Sequence, residues 1–466
     1  MFDMIVKGGC VVSASGRCYT DVAIKDGKVA ALGDAATLGA AVKTIDAAGK
    51  YLLPGLIDPH VHIAAPFMGC IGPLDFYSAS KCAALGGVTS IIDFTNTMPG
   101  DSVIQRIHDR KADMESAAID YSCHSKIVQA TPEILDEIPG MVEEGCPTIK
   151  MFTTYRRAGV MIEDDDIVKV MAECAKWNAR PGVHAEENTI SEYNDDKFAA
   201  AGTTDWKYHY LSKPAMVEAL ATRKMIDFAA QADSGLYIYH LTCRAALAEL
   251  QTALERGQNV LAETCVHYLE LDKHTMDDPD TGYRFICSPP LRDTEDEDAL
   301  WSALNAGELK VVSSDNCLYS DTEKLSALKR DENGKRVQDY KCVANGVSGL
   351  EERLPLLLTD GVAAGRMTLE KVVEITSTNP AKIFGMYPQK GQIAPGADAD
   401  IAIVDLDQEW TLGANTLHYG IDSSVYEGKP VRGRAVTTIR RGEVIAQDGE
   451  FLAEPGSGKF LKRKLA

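Results

Sequence analysis

The chain has 466 residues, 45% of them apolar and 25% charged, with a formal net charge of −20. That balance excludes the basic footprint of a nucleic-acid-binding surface and offers nothing to an anionic membrane, and no run approaches the ~20 apolar residues of a membrane span. Residues 1–9 lack the basic and long apolar regions of a signal peptide, and the twelve cysteines contain no CxxC pair, so they read as reduced, buried small hydrophobes in a cytoplasmic protein.

In chain order, the first fifty residues alternate with period two. Asp21-Val22-Ala23-Ile24-Lys25 and Lys28-Val29-Ala30-Ala31-Leu32 flank Asp26-Gly27, a hairpin signal. A different pattern then sets in: short apolar runs ending near His62, Phe94, Val128, Phe152, Ala185, Thr242, Cys265 and Asp315. Between many of them lie amphipathic segments, at 102–118, 164–179, 214–233 and 244–257. Strand-then-helix order implies a parallel sheet, and eight such units close into a (β/α)₈ barrel. An open doubly wound sheet is disfavoured because no GxGxxG follows the first strand. Period-two character returns after about residue 390, in Ala399-Asp400-Ile401-Ala402-Ile403-Val404 and in two strands around Arg441-Gly442. The expected division is therefore a barrel over 54–388, one small β domain built from 1–53 and 389–456, and a basic tail over 457–466. The tail, Lys459 to Lys464, reads as solvated or as a subunit contact.

Barrel enzymes carry their chemistry at the C-terminal ends of the strands. Strand one runs into His60-Val61-His62, where period-two geometry points both imidazoles to one side, able to grip one cation. Strand four carries Lys150 amid apolar residues, costly unless neutral, paired or modified. Strands five, six and eight end in His184, His240 and Asp315. Taken singly, each has an ordinary reading: a satisfied core histidine, a snorkelling lysine, a helix N-cap. Six such side chains at the strand ends of one barrel point instead to a metal centre.

These motifs, in this order, resemble the dihydropyrimidinase and hydantoinase family of cyclic amidohydrolases, nearest to the phenylhydantoinases. The resemblance runs through Gly55-Leu56-Ile57-Asp58-Pro59-His60-Val61-His62, Lys150-Met151-Phe152-Thr153-Thr154-Tyr155, Val183-His184-Ala185-Glu186, Glu263-Thr264-Cys265 and Ser288-Pro289-Pro290-Leu291-Arg292. It implies a barrel with a β-sandwich formed by both chain ends, assembled as a homotetramer or homodimer. It implies two divalent cations, zinc first, with manganese or cobalt possible. His60, His62, Lys150 and Asp315 would hold one, and Lys150, His184 and His240 the other. Lys150 would be carboxylated by CO₂ to an N6-carboxylysine bridge. Asp315 would move the proton of the attacking water, and Tyr155 would donate to the oxyanion. Tyr155, Ser288 and Asn345 would bind a small cyclic ureide, opened to an N-carbamoyl amino acid.

The chain departs from the family pattern in three places. Asn316 stands where the family commonly has histidine, Val266-His267 where Pro-Gln is usual, and Val347-Ser348-Gly349 where Leu-Pro-Gly is usual. His267 is read as structural. The loops after strands one and four, 63–68 and 153–161, are expected to form a roomy apolar pocket for the ring substituent. Among rival functions, a dihydroorotase is opposed by the absence of an arginine just after His62. An allantoinase stays open, and a non-catalytic scaffold is opposed by the six retained ligand candidates.

Overall fold

The computed structural model describes residues 1–466. Its eight parallel strands pair in chain order: Leu56–Asp58, Val88–Phe94, Asp120–Lys126, Thr148–Phe152, Arg180–His184, Leu236–Ile238, Val260–Cys265 and Val311–Ser313. All eight expected strands are present, and the four expected amphipathic segments contain helices Val103–Asp113, Asp164–Trp177, Ala215–Gln231 and Arg244–Glu255. The first and eighth strands are joined at the mouth by a parallel bridge between Val61 and Asn316, with the His62 N–H donating to the Asn316 carbonyl at 2.9 Å. Lower down, the buried Arg353 guanidinium donates to the carbonyls of Ile57 and Val312, 3.0 Å each. One planar donor thus staples the two strands that close the barrel. The Asn316 side chain accepts from the Gly349 N–H at 3.3 Å, so this departure from the family pattern sits at the barrel seam.

The chain ends build two further sheets. Strands Lys28–Gly33, Asp21–Lys25, Phe2–Lys7 and Ala41–Asp46 form one. Seven strands form the other, in the order Glu450–Phe451, Glu443–Gln447, Pro430–Arg440, Ile401–Thr411, Tyr51–Pro54, Cys10–Ser13 and Gly16–Tyr19. The ends meet where Ile401 to Val404 pair antiparallel with Pro54 to Tyr51. Val6, Val22 and Ile24 of one sheet pack with Leu52, Ile401 and Ile439 of the other in a shared apolar cluster. Asp26-Gly27 and Arg441-Gly442 both have positive φ at their two central residues (50° and 75°, 46° and 77°), the geometry that matches strand twist in a two-residue hairpin.

The basic tail is docked along the barrel: Lys459, Lys462 and Lys464 remain exposed, as composition suggests, but Arg463 does not. Residues Lys459 and Leu461 bond through their backbones to Tyr121, at 3.0 and 2.7 Å. Arg463 is buried under the barrel, donating to Ser122 Oγ (2.8 Å), the Cys123 carbonyl (2.6 Å) and Thr148 Oγ1 (2.8 Å). Alternation explains it: Arg463 and Leu465 point inward while Lys462 and Lys464 face solvent, and a tally of charges does not register that phase. Nine of the twelve cysteines are buried and none is disulfide-bonded. No helix is long and apolar enough to cross a membrane.

Candidate metal centre

His60 and His62 follow the first strand immediately, and their rings lie 5.2 Å apart between centroids. Both Nε2 atoms approach one oxygen of Asp315, at 3.0 and 3.2 Å. His240 stands 5.3 Å from His60 and 4.4 Å from His184, ring to ring. Ligand atoms of His60, His240 and Asp315 lie within 4.8 Å of one another. His240 and Asp315 both adopt left-handed backbone, φ 41° and 47°, a conformation uncommon for such residues that clusters at functional sites.

Lys150 enters from the fourth strand, 1% exposed. Its Nζ lies 3.9 Å from the Tyr239 ring centroid and 5.1 Å from those of Phe94 and Phe152. No carboxylate reaches it, and burial pushes the ammonium down to about 8 against the pull of Asp315 and Glu263. Gly182 on the next strand makes this possible: a Cβ there would fall 2.4 Å from Tyr239 Cε2 and displace the ring.

All six candidate ligands therefore converge. Two carboxylates that sequence reasoning gave no role lie behind them. Glu263 accepts from His60 Nδ1 at 2.5 Å and from the Tyr237 hydroxyl at 2.9 Å. Glu186 accepts from His184 Nε2 at 2.7 Å. Both are fully buried. A carboxylate on the far nitrogen fixes tautomer and ring orientation, the arrangement found behind metal-binding histidines. The available signal was an acid in an apolar strand (Glu263) and a His-x-Glu pair where the fifth strand ends (His184, Glu186).

Electrostatics agree. Burial holds His62, His184 and His240 below the usual imidazole range, leaving them neutral, the form that ligates metals. Burial also disfavours charge on His60, but Asp315 and Glu263 raise it overall. Burial favours a neutral Asp315, yet His60 and His62 keep its carboxylate well below the ordinary value. His240 Nδ1 is buried without a hydrogen-bond partner, and His60 Nε2 has only the Asp315 oxygen it shares with His62. Such an orphaned nitrogen is costly unless something coordinates it, so the donor set fits a cation.

The cluster opens into a cavity of about 310 Å³. Tyr155, at φ 67°, reaches in from the loop after the fourth strand. Its phenol is pushed up by burial and by the nearby Glu186, with Ser288 and Asn345 acting in the opposite direction. Asn345 in turn donates to Ser288 Oγ at 2.8 Å. The loops expected to carry specificity supply Ala65, Phe67, Met68, Ala158 and Val160 to the lining, beside Phe152 at the end of the fourth strand. The wall is not wholly apolar, however, because Lys126 and Asn96 also line it. His267, fully buried, lines the cavity beside Asp315.

Residues 51–445 match the amidohydrolase family. The chain belongs to that family. This amidohydrolase is 39% identical over 465 residues to a D-hydantoinase of Ralstonia pickettii, covering 99% of each chain. It is 37% identical over 464 residues to a D-phenylhydantoinase of Escherichia coli, covering 99% of this chain and 98% of the other. Among solved structures, a dihydropyrimidinase from Brevibacillus agri superposes with a TM-score of 0.95 at 36% identity, covering 99% of both chains. Amidohydrolases use divalent metal ions, and this chain gathers donors suited to one.

Proposed function

We propose that this amidohydrolase opens the ring of 5-substituted hydantoins or dihydropyrimidines with water, releasing N-carbamoyl amino acids. The observation that carries the reading is the convergence of four imidazoles, Lys150 and Asp315, with His60 and His184 each backed by a buried carboxylate. His60, His62, Lys150 and Asp315 are assigned to one divalent cation, and Lys150, His184 and His240 to the second. Zinc is the first candidate, with manganese or cobalt as alternatives. Bound there, the cations supply Lewis-acid polarisation of the scissile carbonyl and bring the pKa of an attacking water toward neutrality.

The neutral Lys150 amine adds to CO₂, forming an N–C bond and releasing one proton, to give an anionic N6-carboxylysine that can offer two oxygens. An ammonium lowered to about 8 leaves a useful neutral fraction for that step. Asp315 accepts the proton of the attacking water and delivers it to the amide nitrogen as the ring C–N bond breaks. Tyr155, whose burial keeps the phenol protonated, donates to the oxygen that gains charge. Ser288 and Asn345 hold the imide edge of the ring. In the same reading the catalytic barrel spans 54–388, flanked by sandwich segments 1–53 and 389–456, in a cytoplasmic homotetramer or homodimer.

Replacing Lys150 by Ala tests the centre. The expected outcome is loss of bound metal and of nearly all ring opening, followed in the ultraviolet on a panel of cyclic ureides. Short-chain carboxylic acids that mimic the missing carbamate should restore part of it. Full turnover by Lys150→Ala would remove the bimetallic reading.

A further inference from the structure

The third barrel strand places one polar side chain that the chemistry above does not use. Its inward residues follow period two from base to mouth. Ser122 takes the Arg463 guanidinium under the barrel. His124 stacks on Phe94 at 4.8 Å halfway up. Lys126 is next and lines the cavity. No carboxylate lies within salt-bridge distance of Lys126, and its ammonium makes no hydrogen bond to protein. Burial pushes it down to about 8, with Asp101 the one anion that acts against this. Asp101 itself is tied to the Met98 N–H at 2.9 Å.

Lys126 is half-buried, and an ammonium set in the wall of a partly enclosed cavity without a counter-ion is free to pair with an anionic group of a ligand. Its position defines that ligand. The groups assigned to the ring, Ser288 and Asn345, follow the seventh and eighth strands, across the mouth from the third. Phe67, Met68 and Met98 line the cavity as well. A substituent reaching Lys126 would therefore present an apolar stem and an anionic end. We infer that Lys126 is a specificity-determining residue, and that the preferred substrates are cyclic ureides whose ring substituent ends in a carboxylate. The inference rests on the proposed ring-opening activity and sharpens its substrate class.

The test is kcat/KM of the metal-loaded enzyme for a matched pair, hydantoin-5-propionate and its neutral propionamide, in wild type, Lys126→Met and Lys126→Arg. Wild type should favour the carboxylate by about tenfold or more, the scale of a hydrogen bond between charged groups at a half-buried site. Lys126→Met should erase most of that ratio through KM, while Lys126→Arg retains much of it. A ratio taken within one protein is insensitive to the fraction correctly folded. Equal use of both substrates by wild type, or an unchanged ratio in Lys126→Met, overturns the inference and leaves the ring-opening function standing. Failure to open either substrate, or any other cyclic ureide, refutes the function itself and the inference with it.

Discussion

Glu263 offers the sharpest test of how the barrel would tune the proposed metal centre. Its carboxylate is fully buried and accepts from His60 Nδ1 (2.5 Å), the Tyr237 hydroxyl (2.9 Å) and, more weakly, the His240 N–H (3.4 Å). Glu263→Gln keeps the volume, and a carboxamide can still accept from His60 while donating to the Tyr237 oxygen, so the fold should survive. What goes is the negative charge that raises the basicity of His60. Removing such a partner typically costs about 10- to 100-fold in metal affinity, or about 1.4–2.8 kcal/mol at 1.4 kcal/mol per decade. The assay is metal content after dialysis against a graded series of chelator, together with kcat at saturating metal. The variant should lose metal at a chelator concentration lower by one to two decades, and added metal should restore much of its kcat. If the same chelator concentration strips both proteins, Glu263 does not act through His60 and the reasoning fails.

Two further outcomes follow from the same geometry. Tyr155→Phe should lower kcat by about 10²–10³ with a smaller change in KM, the cost of losing one donor to the oxyanion; steady-state kinetics on a turned-over hydantoin reads it, and an unaltered kcat would return Tyr155 to a packing role. Glu352, remote from the centre, accepts from Ser348 at 2.7 Å and from Tyr419, yet burial raises it from 4.5 to about 7. Folding thus favours its protonated form, a contribution fully present below pH 4.5 and lost as pH rises through about 7. Glu352→Gln should therefore gain stability relative to wild type over that interval, on the order of 3 kcal/mol in all. Denaturant unfolding of both proteins at pH 5 and pH 8 checks it, and a gap that does not widen with pH would show the carboxyl is not strained by its burial.

The six candidate ligands were legible because each closes a short apolar run, and a parallel barrel presents all such strand ends at one mouth. The hairpins at Asp26-Gly27 and Arg441-Gly442 were equally legible, since their residues match the backbone the turn demands. The supporting acids were not. His60 and Glu263 are 203 residues apart, and only the order and register of strands one, six and seven bring them together. Lys126 drew no notice for a related reason: a lysine at a strand end faces lumen or helix layer according to phase, and that phase is set by Ser122 and His124 packing below it.

What the sequence determined by itself was periodicity and chemistry: alternating segments at both ends, eight apolar strands, and candidate metal ligands at their termini. These are local properties, written in spacings of two to four residues. Tertiary structure decided which groups share a cavity, which charges go unpaired, and that the basic tail seals the barrel floor instead of dangling in solvent. Those outcomes depend on burial and on contacts across hundreds of residues, and they exist only once barrel closure has fixed the register.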